Sequence, residues 1–435
     1  MTQTVRSERA LRLENLTRVE GEGGLLVRLE DGKVKEAKLN IFEPPRFFEA
    51  FLRGRGLQEV PDITARICGI CPVAYQMSAV HALEATQGIQ IDPAIRSLRR
   101  LLYCGEWIES HALHIHLLQA PDFLGYESGI AMAQNHRMEV ERGLRIKKIG
   151  NDLVEVLGGR AIHPVSACVG GFYKVPARSE LQALKSHLEW ALEASLEVVP
   201  WVAGLRFPNF QPDYEFVSLT HPTEYPMNEG EVISSRGLRL KVAEYERVFL
   251  EEHVAHSTAL HSVRADGGTS YFVGPLARLN LNLHLLHPQS RKAAANCGIH
   301  WPSNNPYTGI LARAIETVYA CEEALAIINS YHPPERARVD FKPRRGDGCA
   351  ATEAPRGLLF HHYRVDEQGL IESAKIVPPT SQNMRRIEDD LRQLLPPLLQ
   401  HSDEEIIQAC EHLVRSYDPC ISCSTHFLKL RIERR

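Results

Sequence analysis

The chain has 435 residues, 44% of them hydrophobic, a formal net charge of −4 and ten cysteines. A chain this long can bury a large core without disulfides, and cysteines spread this thinly point to metal binding or catalysis, not to a secreted stapled scaffold. The mildly acidic balance argues against a nucleic-acid surface. No apolar run is long enough to span a bilayer, and the opening MTQTVRSERALRLEN lacks the apolar centre of a signal peptide. The chain reads as soluble and made in the cytoplasm.

In chain order, LLVRLEDGKVKEAKLNIF predicts a β-hairpin: Leu25, Val27 and Leu29 alternate, Asp31-Gly32 turns, and Ala37, Leu39 and Ile41 alternate back. Helical periodicity follows over roughly Pro93–Leu118, Ala177–Val199, Thr308–Tyr331 and Glu404–Tyr417. A second hairpin is predicted from Leu358 to Val377, turning near Asp366–Gly369. Breaks at Pro44-Pro45, His332-Pro333-Pro334, Pro378-Pro379 and Pro396-Pro397 punctuate these stretches. No repeat or low-complexity linker divides them. The expected fold is mainly α with some β (α+β): one domain over residues 1–435, a large helical body with small sheets at both chain ends.

Two Cys-x-x-Cys pairs carry the chemistry: Cys68 and Cys71 in RICGICP, and Cys420 and Cys423 in DPCISCSTH. Four thiolates together bind a soft or borderline metal. A zinc ribbon takes its pairs from one short segment, about 15–20 residues apart, whereas roughly 350 separate these. The fold must therefore close around the metal, which favours a buried reactive centre over a local staple. Gly69, Pro72 and Pro419 suit tight backbone that turns amide N–H groups toward the sulfurs. The other six, Cys104, Cys168, Cys297, Cys321, Cys349 and Cys410, are scattered singly and read mainly as core packing.

With TRVEG at Thr17–Gly21, PRFFE at Pro45–Glu49, VGPLAR at Val273–Arg278 and EAPRG at Glu353–Gly357, these frames resemble the large subunit of nickel–iron hydrogenases. The resemblance runs from about Leu16 to His426 and is strongest to the cytoplasmic, NAD(P)-linked and sulfhydrogenase-like group. It implies a nickel–iron centre with carbon monoxide and cyanide on the iron. Cys68 and Cys420 would bind nickel terminally, and Cys71 and Cys423 would bridge the two metals. Glu20 matches the carboxylate that takes a proton from a terminal cysteine. Arg356 matches a guanidinium over the open metal position, oriented by Asp418. Pro355 matches the pocket wall, and Thr380 a hydroxyl that hydrogen-bonds a cyanide. Glu49, His426 and the carbonyl of Ile376 match a magnesium site.

The implied reaction is reversible heterolytic splitting of dihydrogen. Electrons would leave through an iron–sulfur small subunit to flavin (FAD) subunits that reduce NAD(P), since this chain has no ferredoxin-like cysteine run and no dinucleotide fingerprint. The basic tail Phe427–Arg435 would be removed by a maturation endopeptidase. Two positions depart from the family pattern: Tyr75 stands where many relatives carry histidine, and Ser110 where an aspartate often lies near the arginine. His111 and His114 lie one helical turn apart, with His116 on another face, and read as packing groups. Competing readings are a four-cysteine zinc scaffold, a hydrogen sensor of low turnover, and a quinone-binding respiratory subunit of similar fold, which would not keep all four cysteines.

Overall fold

The structure, a computed structural model, describes residues 8–31 and 33–425. Gly32, His426 and the Phe427–Arg435 tail lie outside the described residues, so the expectations for the histidine ligand and the removable peptide are not addressed by it.

The first hairpin forms as read. Strands β2 (Gly23–Glu30) and β3 (Lys33–Ile41) pair antiparallel with Leu25 opposite Leu39 and Val27 opposite Ala37, and these alternating side chains are all buried. A strand not expected from sequence, β1 (Glu8–Leu13), adds to the other edge of β2. Its apolar alternation is only Leu11 and Leu13, too short to read.

Helix α1 (Pro72–Gln87) starts directly after Cys71. Pro72 has no N–H to leave unpaired in the first turn, and the Glu106 carboxylate accepts from the N–H groups of Val73 (2.6 Å) and Ala74 (3.1 Å). Gly88 closes the helix at φ 65°. Periodicity missed α1 because it is buried on nearly every face and has no polar side. Helix α2 (Pro93–Leu113) is capped by Asp92, which accepts from the Ala94 N–H at 2.7 Å, and it runs on through a π-helical turn, His114–Gln119. Helix α3 (Arg137–Gly158), also unexpected, packs along α2. Helix α4 (Lys185–Ala203) follows a short turn at Arg178–Ala183.

Strands are not confined to the chain ends, as the sequence reading had them. Val217–Thr220, Glu231–Ser234 and Arg239–Leu240 (β4, β5, β6) form a small antiparallel sheet, and Phe249–Glu252 with His261–Arg264 (β7, β8) forms a ribbon. Such short strands give no readable alternation. Helix α5 (Pro275–Asn282) precedes α6 (Gly309–Ser330), which packs against both α2 and α4.

The second expected hairpin is a three-stranded meander, β9 (Gly346–Ala354), β10 (Gly357–Val365) and β11 (Ile371–Val377), laid against α1. Gly369 turns it at φ 83°. Pro378-Pro379, read as a break, instead opens helix α7 (Pro379–Leu394), since proline fits a first turn. Helix α8 (Asp403–Ser416) begins at a reciprocal Ser402–Glu405 cap. One buried hydrophobic cluster extends from Leu52 through the helices to Cys423, so both ends of the chain share it.

The α2–α3 crossing is a backbone contact. A Cβ on Gly150 would sit 2.7 Å from the Glu109 nitrogen and 2.7 Å from the Gly105 carbonyl oxygen. Backbone cannot swing aside as a side-chain tip can, so Gly150→Ala is expected to cost about 1–3 kcal/mol. Thermal unfolding of wild type and variant checks this, and an unchanged melting temperature would show that the helices are not in backbone contact.

Candidate metal centre

The four expected cysteines meet. Sγ of Cys68 lies 3.4 Å from that of Cys420, Cys71 is 3.9 Å from Cys423, and Cys420 is 2.7 Å from Cys423. None is in a disulfide and all are buried. The 3.4 and 3.9 Å separations suit sulfurs sharing a metal at about 2.3 Å each, and even the 2.7 Å contact is longer than the roughly 2.05 Å of an S–S bond. Backbone N–H groups of Ile70 (3.3 Å) and Cys71 (3.4 Å) point at Cys68 Sγ, as the tight Gly-Ile spacer suggested.

Local structure delivers each pair. After α8, Asp418 takes a left-handed conformation (φ 53°), and Pro419 then forbids further helix, which turns Cys420 into the core. The N-terminal arm docks alongside: Glu20 and Cys420 form a parallel bridge, and the Ile421 N–H donates to the Glu20 carbonyl at 2.8 Å. Arg415 clamps Asp122 with two bonds, 2.7 and 2.8 Å, and also holds the Thr17 carbonyl at 3.0 Å, pinning the TRVEG segment. Arg46 ties the pairs to each other, because its Nη2 donates both to the Ile67 carbonyl (2.7 Å) and to the Ser422 carbonyl. Sequence reasoning assigned Arg46 no role, although it lies in the PRFFE frame.

Glu20 is half-buried, and its Oε2 accepts from Cys420 Sγ at 3.0 Å and from the Ser422 N–H at 3.1 Å. Arg356 and Pro355 form the two-residue corner between β9 and β10. Arg278 fixes that corner by donating to the carbonyls of Ala354 (2.7 Å) and Pro355 (3.0 Å), while Glu316 and Glu353 balance its charge. Arg356 donates from Nε to the Asp418 carbonyl (2.9 Å) and from Nη2 to its carboxylate (3.0 Å), the pairing read from the sequence. Its Nη1 is buried with no partner.

Asp418 is not the arginine's private counter-ion. Arg313 approaches its carboxylate at 3.8 Å and His114 at 4.0 Å, and the hydroxyl of Ser110, which stands where relatives often carry an aspartate, has no hydrogen-bond partner. Thr380, at the start of α7, accepts the Cys420 N–H at 3.1 Å, which leaves its own hydroxyl proton available. Tyr75 is buried with its hydroxyl toward Cys423, and burial pushes its pKa well above the ordinary phenol value. The three histidines separate: His111 bonds Glu316 (3.0 Å), His114 bonds the Arg415 carbonyl (2.9 Å), and His116 stacks on Trp201.

Burial raises the thiols of Cys420 and Cys423, while hydrogen bonds from Cys420, Cys423 and Cys71 bring Cys68 well below the usual thiol value. Four enclosed sulfurs cannot all ionise without a cation between them, so the donor set is chemically that of a metal site. Burial works against charge on Arg356, but Asp418 and the sulfurs overcome it and hold the guanidinium protonated. A fixed cation whose Nη1 is unpartnered fits a metal carrying small acceptor ligands.

Two of the residues that the resemblance assigned to magnesium, Glu49 and Ile376, are neighbours. Glu49 Oε1 accepts the Ile376 N–H at 2.9 Å and is buried. Burial pushes nearby Glu251 up to about 8, against the pull of Lys375 and with Glu49 adding to the rise.

Sequence reading also missed Glu106 and Glu109. They line a cavity of about 170 Å³ with Gly69, Ile70 and Lys147 beside the first cysteine pair. Burial pushes Glu109 from 4.5 up to about 7, against the pull of Lys147, which bonds it at 2.8 Å. The folded chain thus holds this proton more tightly than the unfolded chain does. Its contribution to stability is complete below the unfolded value and is lost as pH rises through about 7. Glu109→Gln should therefore flatten the fall in stability between about pH 5 and 8, by up to about 3 kcal/mol at the alkaline end. Melting curves of both proteins across that range decide it, and parallel pH profiles would contradict it.

Residues 46–142 and 262–426 match the nickel-dependent hydrogenase family model. Sulfhydrogenase 1 subunit alpha of Pyrococcus furiosus is 35% identical over 428 residues, covering 96% of this chain and 98% of that one. The NAD-reducing hydrogenase HoxS subunit beta of Cupriavidus necator is 27% identical, covering 97% of this chain and 95% of that one. A solved NAD+-reducing [NiFe]-hydrogenase in the H2-reduced state superposes with a TM-score of 0.85 at 28% identity, over 96% of this chain and 99% of that chain. These likenesses remove the zinc-scaffold and quinone-site readings, and with sulfurs from both ends of the chain gathered in one buried cluster, the protein belongs to the nickel–iron hydrogenase family as its catalytic large subunit.

Proposed function

We propose that this subunit splits and forms dihydrogen reversibly at a nickel–iron pair held by Cys68, Cys71, Cys420 and Cys423, and that electrons pass through an iron–sulfur small subunit toward NAD(P). The observation that carries the proton chemistry is the 3.0 Å contact between Cys420 Sγ and Glu20 Oε2. When bound, the metal pair, with carbon monoxide and cyanide on iron, supplies the Lewis-acidic site for heterolytic cleavage. The chain does the rest. Cys420 hands its proton to Glu20, whose half-exposed side chain can release it outward. Arg356, pinned by Asp418, presents a fixed positive charge beside the sulfurs, and its Nη1 can donate to a cyanide or polarise the substrate. Pro355 walls the pocket, and Thr380 offers its hydroxyl proton to a second cyanide.

Glu49 and the Ile376 carbonyl would hold magnesium together with His426. The NAD(P) route, with its FAD-bearing subunits, and a cytoplasmic location rest on likeness to relatives such as the NAD-reducing enzyme. No helix among the described residues is long and apolar enough to cross a membrane.

Replacing any of the four cysteines by serine is expected to abolish turnover with loss of nickel, because an alkoxide is a harder donor than a thiolate and its parent hydroxyl a far weaker acid than a thiol. Infrared bands of bound carbon monoxide and cyanide, with nickel and iron quantified, read the result. A variant with full metal and normal rate would overturn the assignment.

Glu20→Gln keeps the shape but cannot cycle a proton, so it should retain metal and lose proton–deuterium exchange and turnover by at least about 100-fold. Wild-type exchange in that variant would remove Glu20 from the proton path.

The Phe427–Arg435 tail is proposed to be cut after His426 once nickel is loaded, since four basic side chains resist burial beside the closing centre. Intact-mass measurement of active enzyme should find a chain ending at His426, and an active, nickel-loaded chain still bearing Arg435 would refute this.

A further inference from the structure

A second cluster of metal-ligating side chains lies away from the sulfurs. His256, in the loop between β7 and β8, His261, the first residue of β8, and Glu388 on α7 bring one ligand atom each within 4.8 Å of one another. Glu388 lies eight residues along α7 from Thr380, about 12 Å at the helical rise. The site is therefore distinct from the nickel–iron position.

His261 is the telling group. It is 1% exposed, yet neither ring nitrogen has a hydrogen-bond partner. Polar atoms buried in this way usually find partners, and leaving them without one costs about 1–3 kcal/mol. Burial also lowers the imidazole's pKa to about 4, so at neutral pH it is uncharged and has a lone pair to give. Beside it, His256 Nε2 meets Glu388 Oε1 at 2.6 Å, and the two imidazoles stand edge to face at 5.7 Å.

Glu388 is already oriented from behind. Its Oε1 accepts the Leu39 N–H at 3.0 Å, and Arg392 reaches Oε2 at 3.2 Å. Such outer contacts aim a carboxylate at a metal. The His256 side chain is 22% exposed, which gives an ion an entrance and leaves room for a water ligand. Ligands on a tetrahedral ion with bonds of about 2.0 Å stand roughly 3.3 Å apart, so only small side-chain movements are needed.

We propose that His256, His261 and Glu388 form a binding site for a single zinc-class divalent cation. Two imidazoles and one carboxylate suit a borderline ion such as zinc better than magnesium, which prefers oxygen alone. The ion would clip the β7–β8 loop to α7. That loop already rests on the end of β3, where the Thr258 N–H donates to the Ile41 carbonyl at 2.8 Å. The clip would thus brace the far end of the helix whose first turn carries Thr380.

The test uses purified holoenzyme. Zinc and nickel are quantified, added Zn2+ is titrated after a chelator wash, and zinc K-edge absorption reports the ligands. About one zinc per chain with nitrogen and oxygen ligands and no sulfur is expected. It should fall to background in His256→Ala and His261→Phe, while nickel content stays at the wild-type level. Should the buried His261→Phe chain fail to fold, the half-exposed His256→Ala variant decides. Absence of zinc together with no saturable uptake, zinc ligated by sulfur, or zinc retained in His256→Ala would each overturn the proposal and leave His256–Glu388 as a plain ion pair.

Discussion

Everything in this molecule answers to the closure of its two ends on one cluster of sulfurs. Cys68 and Cys420 are 352 residues apart in sequence and 3.4 Å apart in space. A contact of such high sequence separation carries a large loop-closure cost, and it holds only if the intervening chain packs into a body that makes the meeting unavoidable. The helices α1, α2, α4 and α6 supply that body. The Arg46 bridge between the Ile67 and Ser422 carbonyls, and the Glu20–Cys420 backbone pairing, lock the last few ångströms.

Near the sulfurs the fold buries several charged side chains, and the central ones are joined in a network. Arg278 is fully buried between Glu316 and Glu353 and lies over the Trp107 ring at 4.3 Å. Burial opposes the charge on Glu316, but Arg278 and His111 bring its carboxyl down to about 2. Removing one member of such a network would strand the others, a loss of roughly 3–5 kcal/mol for a buried pair. What the network achieves is position. Arg278 holds the carbonyls that shape the Pro355–Arg356 corner, and so sets where the functional guanidinium stands. An arginine with no contact to the sulfurs thereby determines the geometry of one that faces them.

Helix α7 joins several functions. Its first turn places Thr380 against Cys420, its middle places Glu388 beside the two histidines, and Asp390 further on ties Tyr214 and Tyr417 to Arg386. Tyr417 is adjacent to Asp418, so this helix steadies the very segment that turns Cys420 inward. The sulfur site is therefore supported on one side by a helix anchored along its whole length.

Much of this was legible in the residues. The first hairpin followed from alternation, because one face of a small sheet is buried and a period of two records it. The cysteine pairs were legible because reactive chemistry needs particular residue types at short spacings, and Glu20, Arg356, Asp418 and Thr380 through the resemblance of their frames to the family. Helix α1 was invisible for the opposite reason: a helix buried on all faces has no polar stripe to reveal its period. The short strands β4–β8 were equally silent, since their pairing depends on what packs over them. Nor did spacing show that Glu106 caps α1, that Arg46 spans the two cysteine segments, or that His256, His261 and Glu388 converge. By itself the sequence determined the donor set and the need for both chain ends to meet, because ligand chemistry resides in residue identity. Only the tertiary structure decided which buried charges face those donors and at what distance, because burial and counter-charge are properties of neighbours far away in the chain.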